Sequence, residues 1–266
     1  IRRPPRSTLD RSSAASDVYK RQVIILVQKQ LYDIALDFGV KLNNAQLDKF
    51  KLYYHILSDW NNKINLTSIE GEEAIYFKHF WDSLNIFRAR SLDFFKKKSF
   101  LDVGTGGGFP GLPLGIVFPQ NKITLLESRG KKVDFLNLLL KNLELPNVSV
   151  VKGRAEDLAR TDTFREKFDV VFSRALASLP ISLELTLPFC RIGGTTIFYK
   201  GKSVTKEVTK LFKTIDLLGG SMNQLVELEG NDSLPQRIFV IIDKCKQTPE
   251  KFPRRSGIPQ KRPLID

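Results

Sequence analysis

The chain has 266 residues, 42% of them hydrophobic, which suits one full domain with a small extra lobe and a core that needs no covalent staples. Its 42 basic against 29 acidic residues give a formal charge of +13, which points to a polyanionic partner such as nucleic acid. Cys190 and Cys245 without CxxC spacing exclude a disulfide scaffold or zinc finger, two histidines give no basis for a metal site, and no apolar run approaches the ~20 residues of a membrane helix. The expectation is a cytoplasmic monomer without metal.

Residues 1–22 hold six basic and two acidic residues and no apolar stripe. They resemble translated adapter sequence and are read as a non-native or disordered leader, outside the fold. The charge of the rest is +9, so the basic inference survives. Gln28 and Lys29 cut the Val23–Val27 run too short for a secretory h-region. Ile24, Val27, Leu31 and Ile34 mark a helical stripe ended by Gly39, and Leu47, Phe50, Tyr54 and Leu57 mark a second. Trp60 to Thr67, WNNKINLT, has the Asn and Thr content of a loop. Residues 70–95 are helical again, completing a helical lobe over 23–95 before the basic junction Lys96–Lys98.

From 96 to 250 short apolar runs alternate with helical segments. Strands are predicted at 99–103, 122–126, 148–152, 168–173, 194–199, 222–228 and 236–243. Helices fall at 111–117, 129–142, 178–188 and 203–219. This alternation predicts an α/β fold with a seven-stranded, mostly parallel sheet. Residues 229–235 leave room only for a turn, so the last strand is antiparallel. Residues 251–266 carry five basic residues among prolines, cannot form a regular helix, and read as a basic tail expected to pack on or near the active site.

The strongest local signal is Phe100-Leu-Asp-Val-Gly-Thr-Gly-Gly-Gly-Phe-Pro-Gly111, after a strand and opening a helix. Glycines there let backbone approach a ligand closely, and Pro113 suits a first helical turn. Glu127 ends the next strand, where a carboxylate can accept from both ribose hydroxyls of an adenosine. Gly106, Gly108 and Gly111 satisfy dinucleotide spacing, which leaves an NAD-dependent oxidoreductase as the alternative. Gly104, Gly106 and Gly108 satisfy the spacing of S-adenosylmethionine sites. Asp102 as D-x-G, Ala155-Glu156 after the third strand, and the terminal antiparallel hairpin favour S-adenosylmethionine.

With these residues in place, the sequence resembles the glucose-inhibited division protein B family, bacterial small-subunit (16S) ribosomal RNA guanine-N7 methyltransferases. The resemblance runs from about residue 30 to 264. It rests on WNNKINLT, His79 with Asp82-Ser83-Leu84, LDVGTGGGFPGLPLGI at 101–116 and LLESRGKKVDFL at 125–136. It continues in GRAEDL at 153–158, FDVVFSRALASL at 168–179, Lys200-Gly201 and PRRSGIPQKRPL at 253–264. Where the family has Arg-His at the start of the last strand, this chain has Arg237-Ile238. The resemblance implies a Rossmann-like methyltransferase fold and cofactor contacts at Gly104, Phe109, Glu127, Ser128, Arg129, Ala155, Glu156 and Arg174. Gly106 joins them from the glycine spacing. It also implies roles in the reaction for Arg174 and Lys200. Candidate RNA contacts are Asn65, His79, Arg129, Arg237, Arg254, Arg255 and Lys261, and the expected partner is 16S RNA or the small subunit, at the decoding-centre loop. Guanine N7 has a lone pair and no proton, so in-line transfer needs no general base. The Ser173–Leu176 loop accordingly lacks the Asp/Asn-Pro-Pro-aromatic motif of exocyclic-amine methylation. Arg174 is expected to reach O6, phosphate or the cofactor carboxylate and to leave N7 free.

Overall fold

The computed structural model describes residues 29–230 and 236–266. The leader, the start of the first helical stripe and most of the predicted 229–235 turn lie outside the described residues. After a helical segment at 29–37, helix α1 (Asn44–Ile64) opens with a reciprocal cap. The Gln46 N–H donates to Asn43 Oδ1 (2.9 Å) and the Asn43 N–H to Gln46 Oε1 (3.0 Å), satisfying two end donors. The loop expected from Trp60 is instead the last turn of α1. Trp60 and Ile64 still fall on its apolar face, with Trp60 5.7 Å from Phe135, so packing overrides the turn preference of the asparagines. The helix ends at Asn65, in the left-handed region at φ 49°.

The predicted 70–95 helix is broken into a turn at Glu72–Ile75, a π-helical stretch at Tyr76–Trp81, turns at Asp82–Leu84 and Asn85–Arg88, and a last turn at Leu92–Phe95. The wider π turn brings Tyr76, Phe77, His79, Phe80 and Trp81 all into buried positions.

The sheet follows as predicted. Strands β1 (Ser99–Val103), β2 (Lys122–Glu127), β3 (Val148–Lys152), β4 (Phe168–Arg174), β5 (Cys190–Lys200), β6 (Gly220–Leu228) and β7 (Arg237–Lys244) lie in the order β3-β2-β1-β4-β5-β7-β6. Among the described strands, β7 alone runs opposite to the other six. Adjacent residues serve opposite faces: Phe100, Phe172, Ile197 and Phe239 enter one apolar cluster, while Leu101, Val171, Phe198 and Val240 enter those on the other side. Helices α2 (Gly111–Val117), α3 (Gly130–Leu143) and α4 (Leu179–Thr186) match their predicted places. The single helix expected over 203–219 is two, α5 (Val204–Val208) and α6 (Phe212–Leu217), separated where Leu211 turns inward to the core. Short helices at Ala155–Leu158 and Ile258–Lys261 were not predicted. The second is one turn with Pro259 in its first turn, where the missing N–H is tolerated.

The N-terminal helices share one core with the sheet: Phe50, Tyr53 and Leu57 of α1 cluster with Phe109, Leu112 and Leu136. One buried carboxylate also ties these parts together. Asp82 is fully buried and receives Nε and Nη2 of Arg237 (2.7 and 2.9 Å) and Nη1 of Arg174 (3.0 Å). Arg174 ends β4 and Arg237 begins β7, so the carboxylate draws two strand ends onto the helical segment. Asp82→Ala leaves two largely buried guanidiniums without their anion. The expected loss is about 3–5 kcal/mol of unfolding free energy, read by urea denaturation.

Candidate active site

The strand order reverses between β1 and β4, and a crevice opens at the C-terminal ends of β1, β2, β3 and β4. The glycine loop after β1 forms its floor and is held from several sides. Gly104 and Thr105 donate their N–H groups to Leu126 O (2.9 and 3.1 Å), and Tyr53 Oη donates to Gly107 O (2.5 Å). Asp102 Oδ2 accepts from Thr105 Oγ1 (2.7 Å) and the Gly111 N–H (2.9 Å), latching loop to helix. Burial pushes the Asp102 carboxyl up to about 6, against the pull of those bonds. Gly104 has to do without a side chain. Its φ is 72°, and a Cβ there would stand 2.5 Å from Leu176 Cδ1.

Four of the expected cofactor residues meet in this crevice, whose volume is about 580 Å³ including its open mouth: Gly104, Ser128, Ala155 and Glu156. Arg154, Leu176, Ala177, Pro259 and Gln260 also line it and were not foreseen. Gly106, Glu127 and Arg129 form a latch at its edge. The buried Glu127 carboxylate accepts N–H bonds from Gly106 (3.1 Å), Ser128 (2.8 Å) and Arg129 (2.9 Å). The residue read as a ribose acceptor thus serves the chain's own backbone, because the glycine turn and the start of α3 present unpaired N–H groups beside it.

Phe109 does not face the crevice. It is buried between two rings, Tyr53 at 5.3 Å and 5° and His79 at 4.4 Å and 8°. His79, read as an RNA contact, is buried as well. Its Nδ1 lies 2.8 Å from Arg174 Nη2, and a guanidinium only donates, so Nδ1 accepts. Nε2 therefore carries the proton and donates to Thr67 Oγ1 (2.8 Å). Burial first and Arg174 second push the imidazole down to about 3. Arg174 gives its remaining bonds to the Lys78 and His79 carbonyls and Ser83 Oγ, so its fork meets protein rather than the crevice. Arg237 is likewise committed to Asp82, and Ile238, standing where the family has histidine, is core.

Lys200 ends β5 and donates to Ala177 O and Ser182 Oγ, with burial bringing its ammonium down to about 8 against Glu207. Asn65 is the C-cap of α1. Arg254 grips the buried Glu184 (Nη2 to Oε2, 2.6 Å), while Arg255 and Lys261 are exposed. Tyr53 escaped the sequence reading because the helical stripe was drawn through its neighbour Tyr54, which is only half-buried, and nothing local reports where the Tyr53 hydroxyl ends. Asp82 stood in a quoted motif without a partner in view.

Comparison with known proteins identifies the family. The GidB family profile, described as rRNA small subunit methyltransferase G, matches residues 46–237. A ribosomal RNA small subunit methyltransferase G from Acetivibrio thermocellus is 44% identical over 90% of this chain and 97% of its own length. One from Clostridium botulinum is 40% identical over 90% and 98%. Among solved structures, a mutant of MtNAS in complex with S-adenosylmethionine superposes with a TM-score of 0.50 at 14% identity, over 82% of this chain and 78% of that one. That likeness concerns the fold alone.

The His79 environment yields a pH prediction. Its folded-state pKa lies below the unfolded value, so its stabilising effect is complete above about 6.5 and is lost as pH falls toward about 3. Melting temperature measured from pH 7 to 4 is expected to fall more steeply for the natural chain than for His79→Gln. In NMR spectra the ring is expected to keep its Nε2–H form throughout; titration near the ordinary histidine value would contradict the buried, neutral assignment.

Proposed function

This chain belongs to the rRNA small subunit methyltransferase G family, and from that membership we propose that it methylates N7 of one guanine in the decoding-centre loop of 16S ribosomal RNA, as a cytoplasmic monomer. The observation that carries the reading is the meeting of Gly104, Ser128, Ala155 and Glu156, distant in sequence, in one crevice at the switch point of the sheet. S-adenosylmethionine, the cofactor of the family, supplies an electrophilic methyl on a sulfonium when bound. The residues fit it: Gly104 admits close backbone approach, and Glu156 offers a carboxylate beside Ala155 for the adenine edge. Asp102, Tyr53 and Glu127 hold the glycine loop in shape and act on the donor through it.

Guanine N7 presents a lone pair and loses no proton, so no side chain has to act as base. Positioning then carries the chemistry, and preorganised alignment supplies up to ~7–11 kcal/mol of such a barrier. Arg174 is a positioning residue in this reading. Asp82 and His79 fix its guanidinium, and two arginines against one carboxylate leave a net positive charge near the ends of β4 and β7. Lys200 holds the Ala177 carbonyl, and with it the β4–α4 loop that borders the crevice. The exposed Arg129, Lys131, Arg255 and Lys261 supply phosphate contacts.

Incubation of small subunits, or their RNA, with the protein and labelled S-adenosylmethionine is expected to place N7-methylguanosine at a single guanine. Folded protein that binds the donor and labels no guanine N7 would overturn the reading. Glu127→Ala unlatches the glycine loop and is expected to weaken donor binding by about 1–3 kcal/mol in calorimetry; unchanged affinity removes Glu127 from the site. Arg255→Glu with Lys261→Glu is expected to lower RNA affinity and flatten its salt slope by about two, with donor binding retained. An unaltered slope would take the two residues out of the RNA surface.

A further inference from the structure

The C-terminal segment, expected from sequence as a basic tail near the active site with RNA contacts at Arg254, Arg255 and Lys261, is tied to the body of the protein along much of its length. Phe252 is buried in a core cluster. Arg165 donates to the Phe252 and Thr248 carbonyls (2.9 and 2.6 Å), and Arg160 to the Pro253 carbonyl (2.6 Å). Arg254 bonds Glu184 through its backbone N–H (2.7 Å) and its guanidinium (Nη2 2.6 Å), and the same Nη2 also donates to Arg262 O (2.7 Å). Glu184 is fully buried on α4, next to Leu185, which lines the crevice. At the far end the Asp266 carboxylate accepts from the Lys213 and Thr214 N–H groups (2.8 and 2.7 Å). The segment is therefore pinned on both sides of residues 255–261.

Between the pins it reaches the crevice. The Gly257 N–H donates to Glu156 Oε1 (3.1 Å), which also accepts from Arg154 Nη2 (2.9 Å). Both bonds fall on one oxygen, Oε1, so the carboxylate is held in a single orientation. Pro259, buried, and Gln260 close the same wall. An arm for phosphate alone has no use for a buried proline or for an arginine locked on a buried carboxylate.

We infer that residues 257–260 are part of the donor site itself: Gly257 is the positioning residue that aims the Glu156 carboxylate at the 6-amino group of the donor's base, and Pro259 and Gln260 cover that base. The inference rests on the reading of the crevice as the donor site. The segment is thus two-sided, its inner face completing a small-molecule site while Arg255 and Lys261 face outward.

The test is calorimetry on the full-length chain with S-adenosylhomocysteine and its 6-oxo counterpart, S-inosylhomocysteine. The natural chain is expected to prefer the amino compound by about tenfold or more, because a fixed carboxylate rejects a carbonyl. Gly257→Pro removes the N–H and cannot adopt the φ of 81°; it is expected to lose about tenfold in adenosyl affinity and most of the preference. Gly257→Asn keeps the N–H, tolerates the left-handed conformation, and is expected to stay within about threefold. Gln260→Ala, at an exposed position, is expected to weaken both ligands alike by about threefold, and it carries the test if Gly257→Pro fails to fold. Natural affinity and natural preference in both Gly257→Pro and Gln260→Ala overturn the inference. Binding of neither compound by the natural chain overturns the donor-site reading instead.

Discussion

A single carboxylate organises the reactive end of this protein. Asp82 is buried completely, and an isolated buried charge is untenable, so its position is fixed by the two guanidiniums that reach it. Those guanidiniums come from the end of β4 and the start of β7. The helical segment before the sheet is thereby part of the site's foundation as well as of its core. Arg174 passes the constraint on: fixed by Asp82, it fixes the tautomer of His79, which stacks on Phe109, which stacks on Tyr53, whose hydroxyl holds the glycine loop. The chain of contacts runs from an ion pair to the floor of the crevice without a break.

The acidic residues around the crevice share one behaviour. Asp102, Glu127 and Glu156 lie at or just beyond the C-terminal parts of successive strands, and each accepts backbone N–H bonds from neighbouring chain. Glycine-rich turns and helix starts expose donors that have no partner of their own, and a carboxylate at a strand end is the nearest acceptor. A site made this way binds chiefly through backbone held in place. That suits a reaction in which alignment matters and no proton is moved.

Charge is divided by depth. Arg174, Arg237 and Arg254 are bound to buried carboxylates and serve the fold. Arg129, Lys131, Arg255 and Lys261 are exposed and keep the positive surface that the composition indicated. Basic residues in one short motif therefore split between two tasks, as the neighbours Arg254 and Arg255 do.

The sequence by itself determined the sheet. Short apolar runs between helical segments placed all seven strands, the glycine turn placed the crevice at β1, and the short link after β6 fixed the antiparallel β7, because strands buried on both faces read as local apolar runs and turn preferences are local too. Helix ends were less legible: Trp60 to Ile64 carried turn residues and stayed helical because the packing of Trp60 on Phe135 outweighs a local preference of a few tenths of a kcal/mol per residue. Only the tertiary structure decided which charged residues face solvent and which face each other. Asp82 meets Arg237 across 155 positions, and Gly257 meets Glu156 across 101. A side chain's type states which bonds it can form, while its partner depends on how the whole chain closes.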